Sequence, residues 1–335
     1  MAVMTATAPL EAPQLRPLNI WHDLAAVADL VEQCFGSTMD AEGREHLQHM
    51  REAARDQGFL RWASRAVETV SLPLSGYVWE ENGEIVGNVS VIPYRYHGQR
   101  IYLLANIAVQ PDFRRRGIGR ALTLAGLRLA RQRRADAIWL QVRADNAGAI
   151  ALYESVGFRE RARRTVWQAA PDRQACADGL GVVIRPRAGH LWREQEAWLR
   201  QLYPESLAWN QPLPWLSLRP GLWPGLYRLL LDSETRQWAG YVEGHFAAAL
   251  AWQEGYGRSD RLWAALPPQG SERALTALLL HARRTLAWRK SLTLDFPAAV
   301  AVTAIQTAGF QPRRTLVWMQ WEATPRTDVR KEYGG

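Results

Sequence analysis

Lysine is nearly absent from this chain: it occurs only at Lys290 and Lys331, and arginine supplies almost all the positive charge. Cysteine is equally scarce, with Cys34 and Cys176 alone. Two cysteines cannot build a disulfide framework, and without Cys-x-x-Cys there is no thiol-based zinc site or thioredoxin-like redox motif. No segment approaches the roughly 18 consecutive apolar residues of a membrane span. Residues 1–14 lack the basic start and apolar run of a secretory signal, so they are expected to be a disordered tail of a soluble, cytoplasmic protein.

What is present is ordinary in bulk and uneven in distribution. An apolar fraction of 47% and a charged fraction of 22% suit buried cores, and 335 residues suffice for two domains. The net charge is +8, and eight arginines fall between Arg114 and Arg134. That clustering favours one localised anion site over a diffuse nucleic-acid face, so neither nucleic acid nor membrane is expected as a partner.

Periodicity predicts a short strand at Leu15–Leu18, a helix over Asp23–Phe35 closed by Gly36, and a second helix from about Asp40 to Asp56. Strands follow at Gly76–Glu80, Glu84–Tyr94 and Ile101–Val109. They are joined by hairpin chemistry at Glu81-Asn82-Gly83 and His97-Gly98-Gln99. Next come a helix over Gly117–Arg134, a strand over Ala137–Val142, a helix over Asn146–Val156 and strands after Phe158. A meander followed by βαβα indicates a mixed α/β (α+β) class, with a mostly antiparallel sheet flanked by helices.

Residues 171–181 read as a linker, and beyond them the chain repeats itself. Arg120-Ala121-Leu122-Thr123 returns as Arg273-Ala274-Leu275-Thr276, Ala149–Phe158 aligns with Ala301–Phe310, and Arg163-Arg164-Thr165 returns as Arg313-Arg314-Thr315. The expected organisation is a tail, a first domain over 15–170, the linker, a second copy over 182–322, and a loose tail over 323–335.

Two motifs carry chemistry. In the first, a strand ends at Val109, Pro111 blocks its extension, and Arg114-Arg115-Arg116-Gly117-Ile118-Gly119-Arg120 opens a helix. Free N–H groups at a helix N-terminus bind anions, glycine lets the main chain approach phosphate oxygens, and the arginines add charge. The spacing is neither a P-loop nor a Rossmann fingerprint. In the second, Asn146 is placed to cap a helix that carries Tyr153 nearly two turns later, on the same face and above small residues. A tyrosine near its reference pKa of about 10 is protonated at neutral pH and can serve a departing thiolate.

Together, Arg114-x-x-Gly117-x-Gly119 and Asn146-x-x-Ala149-x-x-x-Tyr153-x-x-x-Gly157-Phe158 resemble the GNAT family, the GCN5-related N-acetyltransferases. The resemblance covers roughly Leu15 to Gln168. It implies an N-acetyltransferase that takes acetyl-CoA as co-substrate and transfers the acetyl group to a primary amine by direct attack. Backbone groups of Ile107, Ala108 and Val109 would bond the pantetheine arm, the amides from Arg114 to Arg120 would hold the pyrophosphate, and Asn146 would contact the pantetheine region. Tyr153 would protonate the departing coenzyme A. Family members often carry a carboxylate near the end of this strand, where this chain has Ala105 and Asn106. Neither is a base, although Asn106 is able to orient water or acceptor. The missing base keeps a second reading open, a non-catalytic acyl-CoA-binding sensor or scaffold. The acceptor, a small-molecule or peptide amine, and the oligomeric state are left open.

Glu42, Glu45, His46 and His49 share one helical face, which is read as solvated, as an acceptor contact or, lacking a remote partner ligand, least readily as a metal site. No metal is expected. In the second copy Gly119 becomes Glu272, the arginines become Pro267, Pro268 and Gln269, and Asn146 and Tyr153 become Ala298 and Ile305. Proline removes an amide donor and glutamate repels phosphate, so the expectation is two tandem GNAT-like domains with the C-terminal one degenerate. That half also holds 11 of the 16 tryptophans, Trp209, Trp215, Trp223 and Trp252 among them, which are expected mainly in its core.

Overall fold

A computed structural model describes residues 12–39, 41–221, 235–255 and 257–322. The expected tails lie largely outside these residues, as do Trp223 and the side chain of Glu42. The chain divides into two compact units, residues 1–161 with 317–335, and residues 162–316.

The first unit begins with β1 (Leu15–Pro17), α1 (Ile20–Phe35), α2 (Ala41–Arg55) and α3 (Gln57–Ala66). It continues with β2 (Gly76–Glu81), β3 (Glu84–Tyr96), β4 (Gln99–Val109), α4 (Ile118–Gln132), β5 (Ala137–Arg143), α5 (Ala147–Ser155) and the start of β6 (Phe158–Ala169). The two hairpins form where the sequence places them. Asn82 and Gly83 have φ of 52° and 83°, and His97 and Gly98 have φ of 47° and 80°. Two consecutive positive φ angles match the twist of the flanking strands.

The first helix begins at Ile20, three residues before the expected Asp23. Asn19 is its cap, accepting from the Trp21 N–H at 3.0 Å, while Asp23 is buried and takes a 2.6 Å bond from Arg16. The stripe read from Leu24 onward marks the buried face and misses the first turn, where Ile20 is also buried. Gly36 is right-handed (φ −55°) and leads into a further 3-10 turn rather than a stop. Asp56 caps the unforeseen α3, accepting from the Phe59 N–H at 3.0 Å.

Two apolar cores flank the first unit's sheet. On one face α4 brings Ile118 and Leu122 against Val89, Val91 and Leu104. On the other, α1, α2 and α3 bring Val27, Leu47 and Leu60 against Val78 and Ala108. The first core is completed from the far end of the chain. Val317 and Met319 of β12 (Gln311–Trp321) are fully buried in it, together with Val142 and Phe158. The strand order is β1-β2-β3-β4-β5-β12-β6, in which β12 contributes residues 317–321. The end of β12 is anchored there. The Trp321 indole donates to the Val156 carbonyl at 3.1 Å, and the Glu322 N–H donates to the Gly157 carbonyl at 3.0 Å.

The second unit follows the same succession. β7 (Val182–Pro186), α6 (Trp192–Leu202) and α7 (Trp215–Leu218) precede β8 (Thr235–Val242), β9 (His245–Gln253) and β10 (Ser259–Ala265). Then come α8 (Glu272–Thr285), β11 (Ser291–Pro297), α9 (Val302–Thr307) and β12. Its strand order is β12-β6-β11-β10-β9-β8-β7, with residues 162–169 of β6. Trp209, Trp238, Trp252 and Trp263 are buried in this unit. Each unit is thus a largely antiparallel sheet flanked by helices, in which β4 and β5 of the first and β10 and β11 of the second pair in parallel.

Candidate active site

The expected anion loop lies between β4 and α4. Pro111–Phe113 form a single 3-10 turn, Arg115 is left-handed at φ 64°, and Gly117 precedes α4 at φ 80°. A β-carbon at Gly117 would meet nothing within 4 Å, so glycine is required there by backbone conformation rather than by crowding. No side chain caps this helix end, and its first N–H groups remain available. Arg114, Arg115, Arg116 and Gly117 are exposed, whereas Ile118 is buried in the core below.

Two of these arginines also brace the loop. Arg114 Nε donates to the Val109 carbonyl at 3.1 Å, and Arg116 Nη2 donates to the Asp112 carbonyl at 2.9 Å. Arg116 also lies over the Phe113 ring, 4.8 Å from its centroid. Arg120 is half-buried, and its Nη1 is shielded from solvent without a hydrogen-bond acceptor among the described residues. Cationic side chains thus surround uncapped N–H groups, an arrangement of donors and charge that favours anions.

β4 itself is interrupted where the sequence reading sought a carboxylate. β4 and β5 pair in parallel from Ile101–Leu104 against Ala137–Leu140, yet run on to Val109 and Arg143. Past Leu104 they are no longer partners. Asn106 is left-handed at φ 49°, and the register with β3 shifts between Asn88 and Ser90. An extra residue in one strand is a β-bulge, which bends the strand and frees its outer edge. Ile107 and Val109 are half-buried along that edge, while Ala108 turns into the core under α1. The Val109 carbonyl accepts from the Cys34 thiol (3.4 Å) as well as from Arg114.

Sequence reasoning missed two polar residues beneath the bulge. Asn88 and Ser90 on β3 are fully buried. Asn88 Nδ2 donates to the Asn106 carbonyl at 2.9 Å and to Ser90 Oγ at 3.3 Å, and Asn106 Nδ2 reaches the same Oγ at 3.5 Å. The signal was their alternation with Val89 and Val91, which makes one strand face polar where burial is expected.

Asn146 caps α5, accepting from the Ala149 N–H at 3.1 Å, and is exposed. Tyr153 is buried on the same helix, edge-on to Phe158 with ring centroids 6.2 Å apart. Among the described residues nothing hydrogen-bonds its hydroxyl. Burial pushes this phenol well above the ordinary tyrosine value assumed from sequence, so it holds its proton. Gly119 joins the two motifs: a β-carbon there would stand 3.5 Å from Leu152 on α5 and 3.8 Å from Val109 on β4.

Other candidates lie apart. Glu45, His46 and His49 are exposed on α2, and among the described residues no group of three or more His, Cys, Asp or Glu suits a metal. A cavity of about 760 Å³ bounded by Arg16, Trp21, Tyr77, Leu129 and Arg133 lies at the opposite end of α4 from the glycine loop. It includes none of the cofactor-site residues expected from the sequence, although Arg133 belongs to the arginine cluster.

The second unit repeats the scaffold and closes it. β10 and β11 pair over Ser259–Leu262 and Ser291–Leu294, but just beyond, the Ala264 N–H donates to the buried Tyr203 hydroxyl at 3.2 Å. Pro267 and Pro268 occupy the loop, Glu272 opens α8, and Ile305 is buried where the first unit has Tyr153.

The Acetyltransferase (GNAT) family model matches residues 37–158, the span that contains every element of this site. Residues 37–158 are thus similar to the GNAT acetyltransferase family. The chain is 54% identical over 57 residues to [ribosomal protein bS18]-alanine N-acetyltransferase of Escherichia coli (strain K12), covering 17% of this chain and 38% of that protein. It is 46% identical over 66 residues to mycothiol acetyltransferase of Saccharomonospora viridis, covering 20% of this chain and 22% of that one. These matches span well under half of either relative. A crystal structure of a GCN5-related N-acetyltransferase from Sphaerobacter thermophilus aligns with 92% of this chain and 96% of its own, with a TM-score of 0.53 and 17% identity, a likeness of fold. The fold is that of two tandem GNAT-like domains, of which the second lacks the residue types of the first site. Among the described residues no helix is long and apolar enough to cross a membrane.

Proposed function

We propose that the GNAT domain transfers an acyl group, most simply acetyl, from coenzyme A to a primary amine. The observation that carries this reading is the meeting of three features at Gly119: an uncapped helix end among arginines, the free edge of β4, and the helix of Tyr153. The amides from Arg114 to Arg120 hold the pyrophosphate of the cofactor, with guanidinium charge around it. The pantetheine arm lies as an added strand along Ile107, Ala108 and Val109, where β4 has left β5. Asn146 borders the arm at the start of α5. The site residues fit this group because the loop offers donors and the strand edge offers alternating N–H and C=O.

In the reaction a neutral amine nitrogen attacks the thioester carbonyl carbon. A C–N bond forms, the C–S bond breaks, and the amine proton ends on the sulfur of coenzyme A. Tyr153 supplies a hydrogen bond to the sulfur as negative charge develops, in a buried setting where such a bond counts for more than in water. Because its acidity is weakened by burial, full transfer of its proton to a thiolate of reference pKa about 8.5 is uphill. Its role is therefore stabilisation of the leaving group. Asn106, whose Nδ2 reaches Ser90 Oγ, orients water or the amine. The acceptor is a small-molecule or peptide amine.

Isothermal titration of the intact protein with coenzyme A tests the reading, with sub-millimolar affinity as the expected result and no binding as the one that sinks it. Thiol release from acetyl-CoA with a panel of amines then separates an acyltransferase from a sensor that only binds.

A further inference from the structure

Asn88 is fully buried, and its Oδ1 has no partner among the described residues. A buried amide oxygen without a donor costs stability, and an apolar side chain of the same shape would avoid that cost. What the amide gains is on its other atom. Nδ2 donates to the Asn106 carbonyl at 2.9 Å, a main-chain group in a strand whose backbone pairing is interrupted at that point. The amide orientation follows from chemistry, since only the nitrogen can face a carbonyl oxygen.

This bond fixes the direction of a peptide. The Asn106–Ile107 peptide is trans, so its carbonyl and N–H point to opposite sides. Asn88 draws the carbonyl toward β3, and β5 lies on the other side of β4. The Ile107 N–H therefore faces the region where β4 and β5 have stopped pairing. Asn106 holds φ 49° within a strand, a conformation asparagine tolerates but does not prefer, so the turn needs a restraint. Ser90 Oγ, bonded by both amides, steadies it.

We infer that Asn88 is a positioning residue: its side-chain amide stands in for a missing ladder bond and aims the Ile107 N–H into the channel for the pantetheine arm. The inference rests on the cofactor reading above and assigns one residue to the arm, separately from the phosphate loop.

The test compares two ligands by isothermal titration: coenzyme A, and its nucleotide fragment, which keeps the pyrophosphate and lacks the arm. Asn88→Leu removes the donor together with the unpaired oxygen and keeps a side chain of similar size in the site. We expect it to weaken coenzyme A about tenfold, the scale of one hydrogen bond, while the fragment stays within about twofold. Ser90→Ala, a gentler change, should show a smaller loss with the same selectivity. Parallel weakening of both ligands would reveal a merely structural role and overturn the inference, as would unchanged coenzyme A affinity in both variants. Unmodified protein that binds no coenzyme A overturns the cofactor reading, and this inference with it.

Discussion

Gly119 and Leu152 stand in near contact: a β-carbon on the glycine would lie 3.5 Å from the leucine Cδ1, an ordinary van der Waals distance. The protein itself therefore has room for alanine at this position, and any intolerance must come from a ligand. Gly119→Ala should leave the melting temperature within about 2 °C, a surface-scale change, and weaken coenzyme A about tenfold by lifting the phosphate off the main chain. Gly117→Ala should behave differently. Its left-handed φ of 80° costs an L-residue about 1–2 kcal/mol, so stability falls before binding is considered. Thermal melts with parallel titrations decide it, and an equal melting loss in both variants would contradict the distinction.

Tyr153→Phe should bind coenzyme A as the unmodified protein does and lose about a hundredfold or more in turnover, since only the leaving sulfur uses the hydroxyl. With no partner for that hydroxyl among the described residues, the fold loses no hydrogen bond. The pH dependence has a definite sign. The folded pKa is raised, so the folded state keeps a proton that the unfolded chain gives up above about pH 10. Stability is full below that pH and declines as pH rises through the folded value. Tyr203, raised likewise by burial, adds to the same decline. Alkaline melts should show it, and Tyr153→Phe should soften it; a decline starting near neutrality would refute the assignment.

Binding stoichiometry should be one coenzyme A per chain. In the second unit the Tyr203 hydroxyl already holds the Ala264 N–H, and Pro267 and Pro268 replace amide donors. A titration that saturates at two equivalents would show that this copy retains a site.

Met319→Ala should destabilise the first unit although Met319 lies near the end of the chain. The side chain is fully buried beside Val142 and Phe158, in the core that also holds Tyr153. A cavity there costs about 2–5 kcal/mol. A lowered melting temperature with weakened coenzyme A binding is expected, and a melt unchanged from the unmodified protein would rule out this packing.

Much of the candidate site's local structure was legible because its parts are local. Gly117 beside arginines, Asn146 as a cap and Gly157 after the last turn each answer to conformational preferences of a few adjacent residues. Asn88 was not legible, since its partner Asn106 is brought near only by the β3–β4 pairing and a bulge that no composition marks. The same holds for Tyr153, whose proton affinity depends on burial. The start of α1 was misplaced because its first turn, Ile20–Asp23, is fixed by the Asn19 cap and by the Arg16–Asp23 ion pair, neither of which periodicity marks.

The sequence by itself determined the hairpins, the glycine loop opening a helix, the duplication and the loss of chemical residues from its second copy. Each is set by residue type at short range. Only the tertiary structure decided that residues 317–321 of β12 complete the first unit's core, and that β4 leaves β5 after Leu104. Local propensity says that a segment is a strand, whereas its partner is chosen by the fit of buried side chains distant in sequence.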